Sequence, residues 1–137
     1  MDRLTELYNL AEANSVDVIS FELPQIQSVS IMDADGSCFI GIDPFALETY
    51  SDEAVHLAHE LGHCMTGSFY NRYAACDIVE KHERRAEKWA IKKLIPKDEL
   101  DYAVEHGIVE PWDLAEYFNV TVPFIEKAVA YYKNNLM

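Results

Sequence analysis

Residues 54–67 read AVHLAHELGHCMTG, and the HELGH at 59–63 narrows most what this chain can become. Two histidines four residues apart on a helix lie about 40° apart around its axis and one turn apart along it, so both imidazoles can reach a single ion. In the same frame Ala54, Leu57, Ala58, Leu61 and Met65 form a stripe roughly opposite the histidines. Such a helix packs by one face and offers the other.

Glu60 follows the first histidine directly. In the HExxH arrangement its carboxylate stands beside a bound metal's open position, where it can take a proton from the attacking water and pass it to a leaving amine. Gly62 leaves room for a neighbour or a substrate backbone. His56 lies on the side of His63 but roughly 10 Å away by helical rise, which suits a cleft rim better than a ligand. The rival reading is a histidine-rich helix without metal, since HExxH arises by chance in a chain of this size on the order of a few times in a thousand. A third ligand elsewhere separates the two.

A hydrolytic zinc site has three protein ligands and a water. The extended metzincin pattern is excluded, because it needs glycine at 66 and histidine at 69, where this chain has Thr66 and Phe69. A carboxylate on a second helix remains. In HERRAEKWAIKKLIP, residues 82–96, Ala90 and Leu94 fall within about 20° of Glu83 and Ala86 within about 60°. Arg84, Arg85, Lys88 and Lys92 fill much of the other side. Glu83 thus opens an apolar stripe, where a cation would compensate its charge. Glu87, one turn later, is nearly as well placed, and a plain helix N-terminal role also accounts for Glu83. Spacing leaves the choice open.

Around these motifs the pattern predicts an α+β domain. Residues 3–13 have helical periodicity, VDVISFEL alternates like a strand, and IQSVSIM-DADG-SCFIGID reads as two strands about a turn, giving a small antiparallel sheet. DADG is no calcium loop, because Pro44 stands where the twelfth-position glutamate belongs. Ser51 is placed to cap the metal helix. Residues 67–79 read as a loop, residues 80–95 as a helix stopped by Pro96, and two or three short helices finish the chain. The segment PWDLAEYFNVTVPFIEKAVAYYKN carries aromatic residues expected mostly in the core, on a scaffold helix pair.

The 137 residues fit one domain, taken as 1–137. No apolar run approaches the roughly 20 residues of a membrane span, and the N-terminus is polar and acidic, so a cytoplasmic protein is expected. With 24 acidic against 11 basic residues, the formal charge of −13 repels phosphate backbones and argues against direct nucleic-acid binding. Cys38, Cys64 and Cys76 lack CxxC spacing and are expected as free thiols.

HELGH followed by ExxAxxWAxxxLIP (Glu83, Ala86, Trp89, Ala90, Leu94, Ile95, Pro96) resembles the ImmA/IrrE family of metallo-endopeptidases, whose second motif is approximately ExxAxxFAxxLLMP. The likeness runs from about residue 50 onward and departs modestly, with Trp89 for phenylalanine and KKLIP for LLMP. It implies a minimal zincin-like domain whose zinc is held by His59, His63 and Glu83, with Glu60 as the catalytic base. It also implies a protein substrate, a helix-turn-helix repressor of a mobile element, such as a prophage, or of a stress regulon. Tyr70, Tyr73, His82 and Arg84 are candidates to stabilise the reacting carbonyl oxygen, undistinguished by spacing. The alternatives are a zinc-containing module that sequesters its partner without proteolysis, and a metal-free helical interaction protein.

Overall fold

The computed structural model describes residues 2–70 and 74–135. Among them the elements are α1 (Arg3–Ala13), β1 (Asp17–Ser20), β2 (Ser28–Met32), β3 (Cys38–Ile42), α2 (Tyr50–Thr66), α3 (Cys76–Leu94), α4 (Lys97–Glu105), α5 (Pro111–Phe118) and α6 (Val122–Asn135). The fold is a small α+β domain.

β2 and β3 form the expected hairpin, Ser28 opposite Ile42 and Met32 opposite Cys38. Gly36 takes φ 89° in its turn, a conformation glycine adopts without penalty, and the Asp33 amide donates to the Ser37 carbonyl at 2.7 Å. β1 departs from the expected antiparallel sheet. It pairs parallel with β3, Asp17 opposite Phe39 and Ser20 opposite Ile42, so the sheet is mixed and ordered β1-β3-β2. Alternation tells which face a strand shows but not its direction. Here residues 21–27 carry the chain past the position that β3 later fills. Buried Asp43 pins that crossing by accepting the Leu23 and Phe45 amides at 3.0 and 2.9 Å.

α2 is the centre of the molecule. Thr49, rather than Ser51, caps it, its hydroxyl accepting the Asp52 amide at 3.0 Å, and Gly67 ends it at φ 66°. Ala54, Leu57, Ala58 and Leu61 are fully buried in one core with Leu7 and Ala11 of α1, Ile40 and Ile42 of β3, and Ala90 of α3. Met65, on the same stripe, lies in the last turn and is 37% exposed. α3 packs against α2 so closely that a Cβ on Gly62 would collide with the Ala86 carbonyl oxygen and stand 3.0 Å from its Cα. α3 also starts earlier than expected, at Cys76, because the modestly lower helix propensity of Ile78 and Val79 does not interrupt the hydrogen-bond ladder.

α5 and α6 form the scaffold pair, burying Phe118 and Phe124 but leaving Tyr117 exposed. The Tyr132 hydroxyl ties α6 to the end of α3 by donating to the Ile95 carbonyl at 2.6 Å. The cysteine expectation is overturned: Cys38 on β3 and Cys64 on α2 form a disulfide with their Cα atoms 6.0 Å apart, and Cys76 alone is free. The pairing follows from the sheet lying against α2, a proximity invisible in the 26-residue separation. No helix among the described residues is long and apolar enough to cross a membrane.

Candidate metal centre

His59, His63 and Glu83 each bring one ligand atom to a common point, all within 4.8 Å of one another. His59 Nε2 stands 2.8 Å from Glu83 Oε2, and His63 Nε2 stands 3.3 Å from Glu83 Oε1. The two rings, centroids 5.0 Å apart, meet edge to face at 79°. The close Gly62–Ala86 approach brings the α3 carboxylate within reach of α2 imidazoles one turn apart.

The other ring nitrogens are held from behind. His63 Nδ1 donates to the Ser68 carbonyl at 2.5 Å, and His59 Nδ1 donates to Glu87 Oε2 at 2.9 Å. A carbonyl or ionised carboxylate oxygen can only accept, so each Nδ1 carries a proton; each Nε2 is turned towards Glu83, and His59 Nε2, 2.8 Å from Glu83 Oε2, gives up the proton it shares there when a metal binds. The turn after α2 supplies Ser68: left-handed Gly67 lets the buried Ser68 fold back, where its amide donates to the His63 carbonyl at 3.0 Å. Glu83 is thus in the cluster and Glu87 behind it, which distinguishes two carboxylates that helical spacing leaves equivalent.

The donor set fits a divalent metal. Tetrahedral zinc with ligands at 2.0–2.1 Å separates neighbouring donor atoms by roughly 3.3–3.5 Å, which the 3.3 Å between His63 and Glu83 matches, whereas the 2.8 Å between His59 and Glu83 is a hydrogen-bond distance that a bound metal would open. Two imidazoles and one carboxylate are a donor set that divalent transition metals take.

Glu60 lies outside the cluster and is 8% exposed. Its Oε2 accepts the Ser28 hydroxyl at 2.7 Å, and Ser28 Oγ is also 3.2 Å from His56 Nδ1. His56 lies outside the cluster and lines an adjoining depression with Ser28, His59 and Glu60. Residues 28–30 of β2 wall one side of a cleft of about 290 Å³ whose other lining includes Glu60, Tyr70 and the cluster. Nothing in the sequence pairs Ser28 with Glu60; the pattern says only that Ser28 and Ser30 share a strand face.

Of the residues considered for the carbonyl oxygen, Tyr70 lies in the cleft and donates to Glu83 Oε1 at 2.8 Å. His82 stacks on Tyr70, its buried Nδ1 without a partner among the described residues. Arg84 lines a different groove, towards α6, and Tyr73 lies outside the described residues.

The charges are mutually supporting. Burial opposes a proton on His59, but the hydrogen bond and charge of Glu87, with Glu60 and Glu83, lift its pKa to about 9. Burial likewise opposes charge on Glu83 and Glu87, yet both stay below the usual carboxylate range, Glu83 through Tyr70, His59 and His63, Glu87 through His59 and Lys127. The hydrogen bond to Glu83, with burial, pushes the Tyr70 phenol up to about 12. Two ionised carboxylates around two imidazoles make a pocket that favours positive charge.

A family model described as the IrrE N-terminal-like domain, a peptidase family, matches residues 16–129. The chain belongs to this family. A comparison with curated proteins finds no match.

Proposed function

We propose that this member of the IrrE N-terminal-like peptidase family is a zinc-dependent endopeptidase. The observation that carries the reading is the orientation of two imidazoles, both turning Nε2 towards Glu83, with Glu60 buried beside them in the same cleft but outside the cluster. A purely structural site has no need of that carboxylate.

Held by His59, His63 and Glu83, zinc would supply the Lewis acidity that brings a water's pKa towards neutrality and polarises a peptide carbonyl. Glu60 accepts the proton of the attacking water and delivers it to the departing amine. Ser28 fixes one oxygen of that carboxylate, so the base is oriented before substrate arrives. Tyr70 stays protonated through the physiological range, and its hydroxyl, which donates to Glu83 Oε1 in this structure, would have to turn from that oxygen to donate to the carbonyl oxygen. β2 is an edge strand along the cleft, and an extended substrate segment can pair with it as an added strand.

The substrate we favour is a helix-turn-helix repressor of a mobile element or stress regulon, encountered in the cytoplasm; the family resemblance supports it, and a charge of −13 attracts a basic DNA-binding protein. Elemental analysis of the purified chain is the first test. About one zinc per chain is expected, lost in Glu83→Ala and held some 10–100-fold more weakly in Glu87→Ala. Absence of metal even after zinc is offered would sink the peptidase reading. If Glu60→Gln inactivates a repressor as fully as the unaltered protein, the chain sequesters its partner instead of cutting it.

A further inference from the structure

The acidic chain carries a cationic groove. Arg84 and Lys88 on α3 and Lys127 on α6 line a groove of about 490 Å³ whose lining also includes Ile91, Ala130 and Tyr131. Ile91 is 3% exposed, whereas the three cationic residues are exposed. None of the three has a carboxylate within ion-pair distance among the described residues. Glu87 also lines the groove; its carboxylate is engaged by His59 at 2.9 Å and also feels the charge of Lys127, which it offsets in part.

Helical geometry makes this groove a neighbour of the metal centre. Glu83 and Glu87 occupy one stripe of α3, while Arg84, Lys88 and Ile91 occupy the next, turned by about 100°. The surface between them is continuous. The cleft over the cluster shares Ser28, His59 and Glu60 with a depression beside His56, and that depression shares Glu87 and Lys127 with the groove.

We propose that the groove is an extended subsite seating a substrate segment in which acidic side chains alternate with apolar ones, to one side of the bond to be cut. The proposal rests on the peptidase reading for calling the bound polypeptide a substrate. Apolar side chains of the segment bury against Ile91, Ala130 and Tyr131, and its carboxylates pair with Arg84 and Lys88 and add to the partial countercharge that Glu87 gives Lys127. A phosphate backbone is the poorer occupant, because it carries charge at every nucleotide and no apolar side chain to set against Ile91, Ala130 and Tyr131. A repressor that is basic overall and carries one acidic, apolar segment satisfies both the long-range attraction and this contact.

The test is fluorescence anisotropy with the full-length, zinc-loaded Glu60→Gln protein, which binds without cutting. The probe is a labelled peptide alternating Asp or Glu with Leu or Phe, beside one with Lys for the acids and one with Ser for the apolar residues. The acidic, apolar peptide is expected to bind about tenfold tighter than either control, and Arg84→Ser/Lys127→Ser to weaken it about tenfold. Lys88→Ser, expected to cost about threefold, provides a second variant should the double one melt early. Equal binding of the three peptides, or an affinity unchanged by these substitutions, overturns the proposal. So does binding of a single-stranded oligonucleotide or a phosphatidylserine vesicle through the same cations in place of the peptide. Because the readout is binding, a protein that seats this peptide yet cuts no repressor refutes the peptidase reading alone. One that cuts a repressor while indifferent to peptide charge refutes the groove alone.

Discussion

Along α2, the residues facing the sheet and those facing α3 and the β2 edge obey different rules. Ala54, Leu57, Ala58 and Leu61 meet the core with no polar side-chain atom and no solvent exposure. His56, His59, Glu60 and His63 each contact a named polar partner: Ser28, Glu83, Glu87 or the Ser68 carbonyl. Apolar burial is non-directional and tolerates substitution of similar volume. A half-buried network of ionisable groups is directional, and losing one member leaves its partners uncompensated. Stability should therefore depend mainly on the first face and chemistry on the second, with Gly62 the one position where both depend on the same contact.

The largest effect is expected at Glu60. Glu60→Gln keeps the shape and the contact with Ser28 but removes the base, and should lower kcat/KM on a cleaved repressor by about 10²–10⁴-fold, with melting temperature and zinc content unchanged. A variant that retained full activity would break the comparison at its functional side. Leu57→Ala is its counterpart on the core face. It should cost about 2–5 kcal/mol of stability in denaturant unfolding while the folded protein still takes up zinc. Loss of zinc without loss of stability would show that the faces are not separable. Gly62→Ala should disturb both, because the Ala86 backbone blocks the added methyl. Overpacking of this kind costs about 1–3 kcal/mol, and any parting of α2 from α3 pulls Glu83 away from the histidines, so zinc affinity should fall with stability.

What the sequence made legible divides along the same line. The stripe from Ala54 to Leu61 and the nearness of His59 to His63 follow from 3.6 residues per turn, a property local to one helix. Its limits appear where two elements must be placed against each other. Glu83 and Glu87 share a stripe of α3, and only the seating of Ala86 on Gly62 decides which faces the Nε2 atoms and which stands behind His59 Nδ1. The parallel pairing of β1 and the Cys38–Cys64 bridge depend on the path through residues 21–27 and on how the sheet lies against α2. Ser28 was hidden for the same reason, since its role comes from an edge strand meeting a helix 32 residues away. Ser28→Ala tests that role. It should reduce kcat about tenfold, as expected when a base loses its orientation but not its basicity, with KM and zinc content little changed. A fall in zinc content instead would mean that Ser28 supports the cluster rather than the base.

The smallest effect concerns the polar face without metal, and its sign is fixed by the histidine. His59 has a pKa of about 9 in the fold because Glu87, Glu60 and Glu83 outweigh the burial that opposes its charge, whereas an unfolded histidine titrates near about 6.5. A pKa raised by folding means that the protonated form favours the fold. That stabilisation is fully present below about pH 6.5 and is lost as the pH rises through about 9. Glu83 and Glu87 run the other way, their pKa values lowered, so their contribution holds above the carboxylate range and fades only in acid. Between neutrality and pH 9 the histidine alone among these three changes charge. Chelator-treated protein should therefore melt a few degrees lower near pH 9.5 than near pH 6.5. Zinc reverses the trend, because binding at His59 Nε2 must displace its proton, and affinity then rises with pH across the same interval. Melting curves with and without zinc should converge towards pH 6.5 and separate towards pH 9. Parallel curves would mean that His59 is already neutral in the metal-free fold, and that the carboxylates around it orient the imidazole without holding a charge on it.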